Sequence, residues 1–132
     1  MAKENTREKI YFHVGLPKTA STFLQRNVFP KFQDIHYIKK HDVKHKDEII
    51  SQSGATKFLL SKEIDPEKEN GLKKIKDVAE KYPEASSILL LRKHASWLRS
   101  KYKYYIRKHG YKDFHDFFDM ENDQGVIKKE NL

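Results

Sequence analysis

One lysine and three hydroxyl side chains lie close together near the start of the chain: Lys18, Thr19, Ser21 and Thr22. An ammonium group supplies a full positive charge, and hydroxyl groups donate hydrogen bonds to oxyanions. Side chains of these types in one short stretch are typical of a site that holds a phosphate or sulfate group.

The elements around this stretch can form an anion cradle. An apolar run over residues 10–14 predicts a buried strand, which Gly15 and Pro17 interrupt. An apolar pattern with helical spacing follows and predicts a helix over residues 20–29. A helix N-terminus carries unpaired N–H groups and a partial positive charge. We therefore expect the strand, turn and helix to cradle an anion.

The spacing differs from that of a Walker A loop, which requires G-x-x-x-x-G-K-S/T. Lys18 follows Gly15 by three residues, and no second Gly precedes it. The pattern Gly-x-Pro-Lys-Thr-x-Ser-Thr-x-Leu instead closely resembles the 5′-phosphosulfate loop of sulfotransferases. Those enzymes use 3′-phosphoadenosine 5′-phosphosulfate (PAPS) as donor. The resemblance implies that the donor is bound by Gly15, Pro17, Lys18, Thr19, Ala20, Ser21 and Thr22.

A second anion site is indicated at Arg92, which follows the clearest predicted buried strand, residues 87–91. In P-loop kinases a comparable strand often ends in an Asp that holds Mg²⁺, whereas an Arg favours direct contact with phosphate. Ser100 lies eight residues further on and Tyr102 two beyond it. This arrangement is similar to the 3′-phosphate motif of the sulfotransferases, except that His94 stands where many relatives have Pro. The resemblance implies that Arg92 and Ser100 hold the 3′-phosphate.

A candidate base follows the predicted strand over residues 57–61. Sulfuryl transfer to a hydroxyl or amine requires a proton acceptor. Carbohydrate-modifying and bacterial relatives often carry Ser-x-Glu at this place, so the resemblance implies Glu63 as base and Lys18 as the second catalytic residue. A solvated Glu63 paired with Lys62 is an equal alternative. His13 is a weaker candidate, because a histidine in the first strand is better explained as a hydrogen-bonded core residue.

Strands alternate with helices along the chain, a pattern that predicts an α/β fold with a parallel sheet. We expect a three-layer sandwich with a mostly parallel sheet of about four strands and helices on both faces. The resemblance implies that this sandwich is P-loop-NTPase-like. Ligands of such sheets bind beyond the carboxyl ends of the strands. Further elements are predicted at residues 35–38 (strand), 41–53, 65–82 and 94–109 (helices) and after Asp113 (short helix).

Length and composition narrow the class of protein. The 132 residues suit one domain, with loose termini at residues 1–8 and 121–132. The net charge of +8 favours polyanionic partners. The chain has no Cys, which excludes disulfides and Cys-based zinc sites. No apolar run is long enough for a membrane helix, and we expect a cytoplasmic protein.

Together these features predict a PAPS-dependent sulfotransferase that leaves 3′-phosphoadenosine 5′-phosphate (PAP), needs no metal and acts on a small-molecule or carbohydrate acceptor. Sulfotransferases are longer, so we expect this chain to correspond to their donor-binding part. It would be a shortened or a natural minimal form, or it would self-associate or be completed by another chain. By itself it should bind donor but turn over poorly. Two alternatives stay open. One is another P-loop enzyme such as a small-molecule kinase, and the other is a non-enzymatic basic module that binds nucleotides or nucleic acid without sequence specificity.

Overall fold

The computed structural model describes residues 8–65 and 70–118. The chain divides into two compact units, residues 1–91 and residues 92–132. The predicted loose termini and the proposed helix start at residues 65–67 fall mostly outside the described residues. That the chain forms a single domain stays a prediction.

A four-stranded sheet forms the centre of the first unit. All its strand pairs are parallel, and the strand order is β2-β3-β1-β4. The strands are β1 (Lys9–Gly15), β2 (His36–Ile38), β3 (Lys57–Glu63) and β4 (Ser86–Leu89). The α/β class and the parallel four-stranded sheet are thus confirmed, while helices on both faces and a P-loop-like arrangement stay predictions. Gly15 lies opposite Glu63 and Ile38 lies opposite Leu60. The carboxyl ends of β1, β2 and β3 therefore lie on the same side of the sheet.

The helix predicted after the loop is present but irregular. It consists of an α-helical turn, α1 (Ser21–Phe23), a π-helical turn (Leu24–Val28) and a 3₁₀ turn (Phe29–Lys31). Pro30 has no N–H and cannot continue the regular hydrogen-bond ladder, so the last turn changes type. Turns of the π type are frequent at functional sites.

Two more helices complete the first unit. A 3₁₀ turn (Val43–His45) leads into α2 (Lys46–Gln52), and α3 spans Gly71–Lys81. The helix predicted over residues 65–82 is therefore present, and its regular part begins at Gly71. Gly71 is buried, and a Cβ there would lie 2.1 Å from the Asp65 carbonyl oxygen, so the position accepts only glycine.

The core of the first unit is centred on β3. Phe58, Leu59 and Leu60 are fully buried because β3 has neighbouring strands on both sides. Residues from the other elements pack around this strand: Ile10, Phe12, Val14, Ile38, Val43, Ile50, Ile64 and Val78. This packing fixes the carboxyl ends of β1 and β3, where the candidate site residues lie.

The strand β4 differs from the prediction. The apolar run over residues 87–91 predicts a buried strand, but the strand ends at Leu89 and all four of its residues are exposed. Leu89 keeps 53% of its surface accessible. Within the described residues, the core cluster of the first unit includes side chains of β1, β2 and β3 but none of Ser86–Leu89, so the apolar side chains of β4 lack the cover that the other strands have.

The second unit consists of α4 (His94–His109) and α5 (Phe114–Phe117), both close to prediction. Its small core contains Phe117 and Phe118, packed against side chains of α4 that include Tyr102. The Tyr102 hydroxyl donates a 2.6 Å hydrogen bond to the carbonyl of Lys112. Asp113 caps α5 by accepting a hydrogen bond from the backbone N–H of His115, as its type predicts.

Candidate functional site

The loop after β1 has an unusual backbone. Lys18 and Ala20 both adopt left-handed conformations, with φ of 65° and 62°. Non-glycine residues rarely do so, at a cost on the order of 1–3 kcal/mol each, and such strain concentrates at ligand clamps. Left-handed residues in a turn direct successive N–H groups into one concavity that suits an anion. The backbone therefore supports the predicted anion cradle more specifically than the side-chain types did.

Two of the predicted anion ligands brace this loop from inside. The Thr19 hydroxyl donates a 2.7 Å hydrogen bond to the Leu16 carbonyl, and the Ser21 hydroxyl donates a longer one, 3.4 Å, to the same oxygen. Both residues are buried, whereas Thr22 is exposed. Pro17 is half-buried in the turn. Thr19 and Ser21 thus hold the backbone in its strained shape, a role that the sequence pattern did not reveal.

Gly15 is required by a close approach of the chain. A Cβ at this position would lie 2.4 Å from Ser21 Oγ and 2.9 Å from Ser21 Cβ. It would also lie 3.4 Å from Cε1 of His13. The Gly15 carbonyl accepts a 2.8 Å hydrogen bond from the N–H of Ile64, which joins the loop to the end of β3.

A polar network lies beneath the loop. His13 Nδ1 and Ser61 Oγ share a hydrogen bond of 2.8 Å, and Gln25 Nε2 donates to the same Ser61 oxygen over 3.0 Å. His13 is fully buried, and burial lowers the pKa of its imidazole, so the ring is neutral near pH 7. Its Nε2 has no hydrogen-bond partner within the described residues. These features support the core interpretation of His13 over a role as base.

This network could not be predicted from the sequence alone, because it depends on the register of the strands. His13 and Ser61 are direct partners in the β1–β3 pairing, and Gln25 reaches them from the π-helical turn. Strand periodicity predicts the strands without fixing which residues pair.

Glu63 lies exposed at the carboxyl end of β3, opposite Gly15 in the register. Among the described residues no ion pair joins it to Lys62, the partner that the alternative interpretation required. The pKa of Lys62 is lowered, first by burial and then by repulsion from Lys74, Lys46 and Lys40. Glu63 thus follows directly after a half-buried lysine that lies in a field of positive charge.

The second predicted anion site has a counterpart in α4. Arg92 and Ser100 line one cavity of about 280 Å³ together with Ser96, Arg99 and Lys103. All five residues belong to the second unit, and three of them are cationic. Ser96 and Arg99 were missed by sequence reasoning, although both share the helical spacing of Ser100 and Lys103.

Two neighbours of this cavity have other contacts. Arg107 lies seven residues after Ser100, two helical turns along the same face, and its guanidinium lies 5.8 Å from the ring centre of Tyr104. Tyr102, the last residue of the similar motif, packs its ring against Phe117 at 5.3 Å. Tyr102 therefore supports α4 and α5 rather than lining the cavity.

Comparisons with protein-family models, with curated proteins and with solved structures find no match. No group of three or more potential metal-ligating side chains occurs within residues 8–65 and 70–118. Nor does this part of the chain contain a helix that is both long and apolar enough to cross a membrane.

Proposed function

We propose that this chain is the donor-binding part of a PAPS-dependent sulfotransferase with a P-loop-like arrangement. The observation that carries the proposal is the strained loop between β1 and α1, in which Lys18 and Ala20 are both left-handed. Strain of this kind is retained where a ligand benefits from a preformed site. The loop combines two left-handed residues, one of them a lysine, with a place at the carboxyl ends of parallel strands, where nucleotides bind in α/β folds.

The chain offers a group for each anionic part of the donor. The loop N–H groups, Lys18 and exposed Thr22 would hold the 5′-phosphosulfate, with Thr19 and Ser21 keeping the backbone in shape. The cavity lined by Arg92 and Ser100 would hold the 3′-phosphate. Its three cationic side chains supply more than enough positive charge to balance a phosphate dianion.

The proposed roles follow from the charge that develops during transfer. As the acceptor oxygen or nitrogen bonds to sulfur, Glu63 would take its proton. The bond between sulfur and the bridging oxygen breaks, and its electron pair stays on the departing phosphate. Lys18 would neutralise that oxygen, which supplies the stabilisation expected of a preorganised positive group. Because Lys18 neutralises this charge and Arg92 that of the 3′-phosphate, the proposal needs no metal ion.

A thermal-shift panel tests the proposal against its closest rivals. PAP should raise the melting temperature more than equimolar AMP, because AMP lacks the group that the α4 cavity binds. ATP with Mg²⁺ should shift it less than PAP. Lys73→Ala, which removes an exposed lysine of α3, serves as the charge control and should respond like wild type. A larger shift with ATP–Mg²⁺ than with PAP would favour a kinase and contradict the proposal.

A further inference from the structure

A groove of about 550 Å³ lies beside the loop in the first unit, and Thr22 is the one residue of its lining that has a role in the proposed function. Its walls come from the helical segment after the loop and from the end of β2 with the turn that follows. The residues that matter here are Thr22, Gln25, Arg26, Tyr37, Lys39 and Lys40.

The groove carries uncompensated positive charge. Arg26, Lys39 and Lys40 are exposed, and none of them forms an ion pair with a carboxylate in the described parts of the chain. No acidic residue lines the groove. The field extends to β3, since Lys40 is one of the lysines whose repulsion helps to lower the pKa of Lys62. An anion in the groove would relieve this repulsion.

The groove shares residues with the surroundings of the proposed transfer site. Thr22 lies in α1, directly after the loop, and also lines the groove. Gln25 lines the groove and hydrogen-bonds Ser61, two residues before Glu63. In the sheet, β3 lies between β2, which leads to the groove, and β1, which leads to the loop. Glu63 is the last residue of β3.

We propose that this groove binds an anionic group of the acceptor, and that the acceptor is a carboxylate- or sulfate-bearing carbohydrate. That the ligand is a sulfuryl acceptor rests on the proposed function, whereas the existence of the anion site rests on the groove alone. Its volume lies within the range of small-ligand sites. Gln25 offers hydrogen bonds to sugar hydroxyls. A nucleic acid is disfavoured because single-strand binders stack successive bases on several aromatic side chains, whereas the lining offers two such rings, Tyr37 and the imidazole of His41.

Calorimetry with matched oligosaccharides tests the inference. The probes are a hyaluronan tetrasaccharide, which carries carboxylates, and N-acetylchitotetraose, which is uncharged. The wild-type chain should bind the hyaluronan probe at least about tenfold more tightly, and added salt should weaken that binding. The double variant Arg26→Gln/Lys40→Gln should lose at least about tenfold in affinity. Lys57→Gln, at the opposite end of β3, is the charge control and should stay within about twofold of wild type.

Each outcome decides between the inference and its alternatives. Equal affinity for the two saccharides, or an effect of Lys57→Gln as large as that of the double variant, would overturn the inference. Tighter binding of a short single-stranded RNA than of hyaluronan would overturn the carbohydrate assignment. PAP is titrated into the same samples. If PAP binds and the saccharide does not, the groove is not an anion site and the proposed function is unaffected. If the saccharide binds and PAP does not, the anion site is supported and the proposal that the chain binds PAPS is refuted.

Discussion

Replacing Gly15 with Ala tests whether the close approach between the end of β1 and α1 holds the loop in shape. The new Cβ would lie 2.4 Å from Ser21 Oγ and 2.9 Å from Ser21 Cβ, closer than such atoms can approach. Ser21 is 3% exposed and His13 is fully buried, so neither side has room to move. Overpacking of this kind costs about 1–3 kcal/mol, which corresponds to a fall in Tm of roughly 4–12 °C for a chain of this size.

Gly54→Ala is the matched control, because a Cβ there has no heavy atom within 4 Å. It should leave the free energy of unfolding unchanged or raise it by up to about 1 kcal/mol through the unfolded state. Urea unfolding followed by circular dichroism gives both values. Adding Ser21→Ala removes the shortest contact, so the double variant should be more stable than the sum of the single changes predicts. Equal stability of Gly15→Ala and Gly54→Ala would refute the reasoning.

Three further predictions concern single side chains. Burial lowers the pKa of His13 below 6.5, so the unfolded chain binds a proton at a higher pH than the folded chain. The free energy of unfolding should therefore fall as the pH drops below 6.5, by at most about 1.4 kcal/mol per pH unit. His13→Gln should reduce this pH dependence, measured by urea titration at several pH values. Tyr102→Phe loses the hydrogen bond to Lys112 and should cost about 1 kcal/mol of thermal stability, unlike Tyr105→Phe. Lys18→Ala should reduce sulfuryl transfer, measured as PAP release, at least about a hundredfold in any form that turns over; retained activity would remove Lys18 from the mechanism.

Much of the fold could be predicted because it depends on local patterns. The continuous apolar runs of β1 and β3 and the helical period of α3 and α4 each specify an element without knowledge of its neighbours. The exposure of β4 could not be predicted, since a strand's burial depends on which elements cover it. The change to π and 3₁₀ turns after α1 also escaped prediction, although Pro30 marks where the regular ladder must end.

The candidate site shows the same division. Residue types predicted the loop as an anion site, and the resemblance to sulfotransferases predicted the pair of Arg92 and Ser100, which line one cavity. The direction of a hydroxyl depends on backbone conformation, so the hydrogen bond by which Thr19 braces the loop could not be predicted from its residue type. The contact between His13 and Ser61 spans 48 positions of sequence and depends on strand register, which no local pattern encodes.

The most direct test of the donor proposal is the ratio of the dissociation constants of AMP and PAP, measured by calorimetry on wild type and on Arg92→Gln. The two ligands differ only in the 3′-phosphate. Loss of one set of charge-assisted contacts costs about 1.5–3 kcal/mol, so wild type should bind PAP at least about tenfold more tightly than AMP. In Arg92→Gln the ratio should fall toward one, with the affinity for AMP unchanged. Equal affinities of wild type for PAP and AMP would contradict the account.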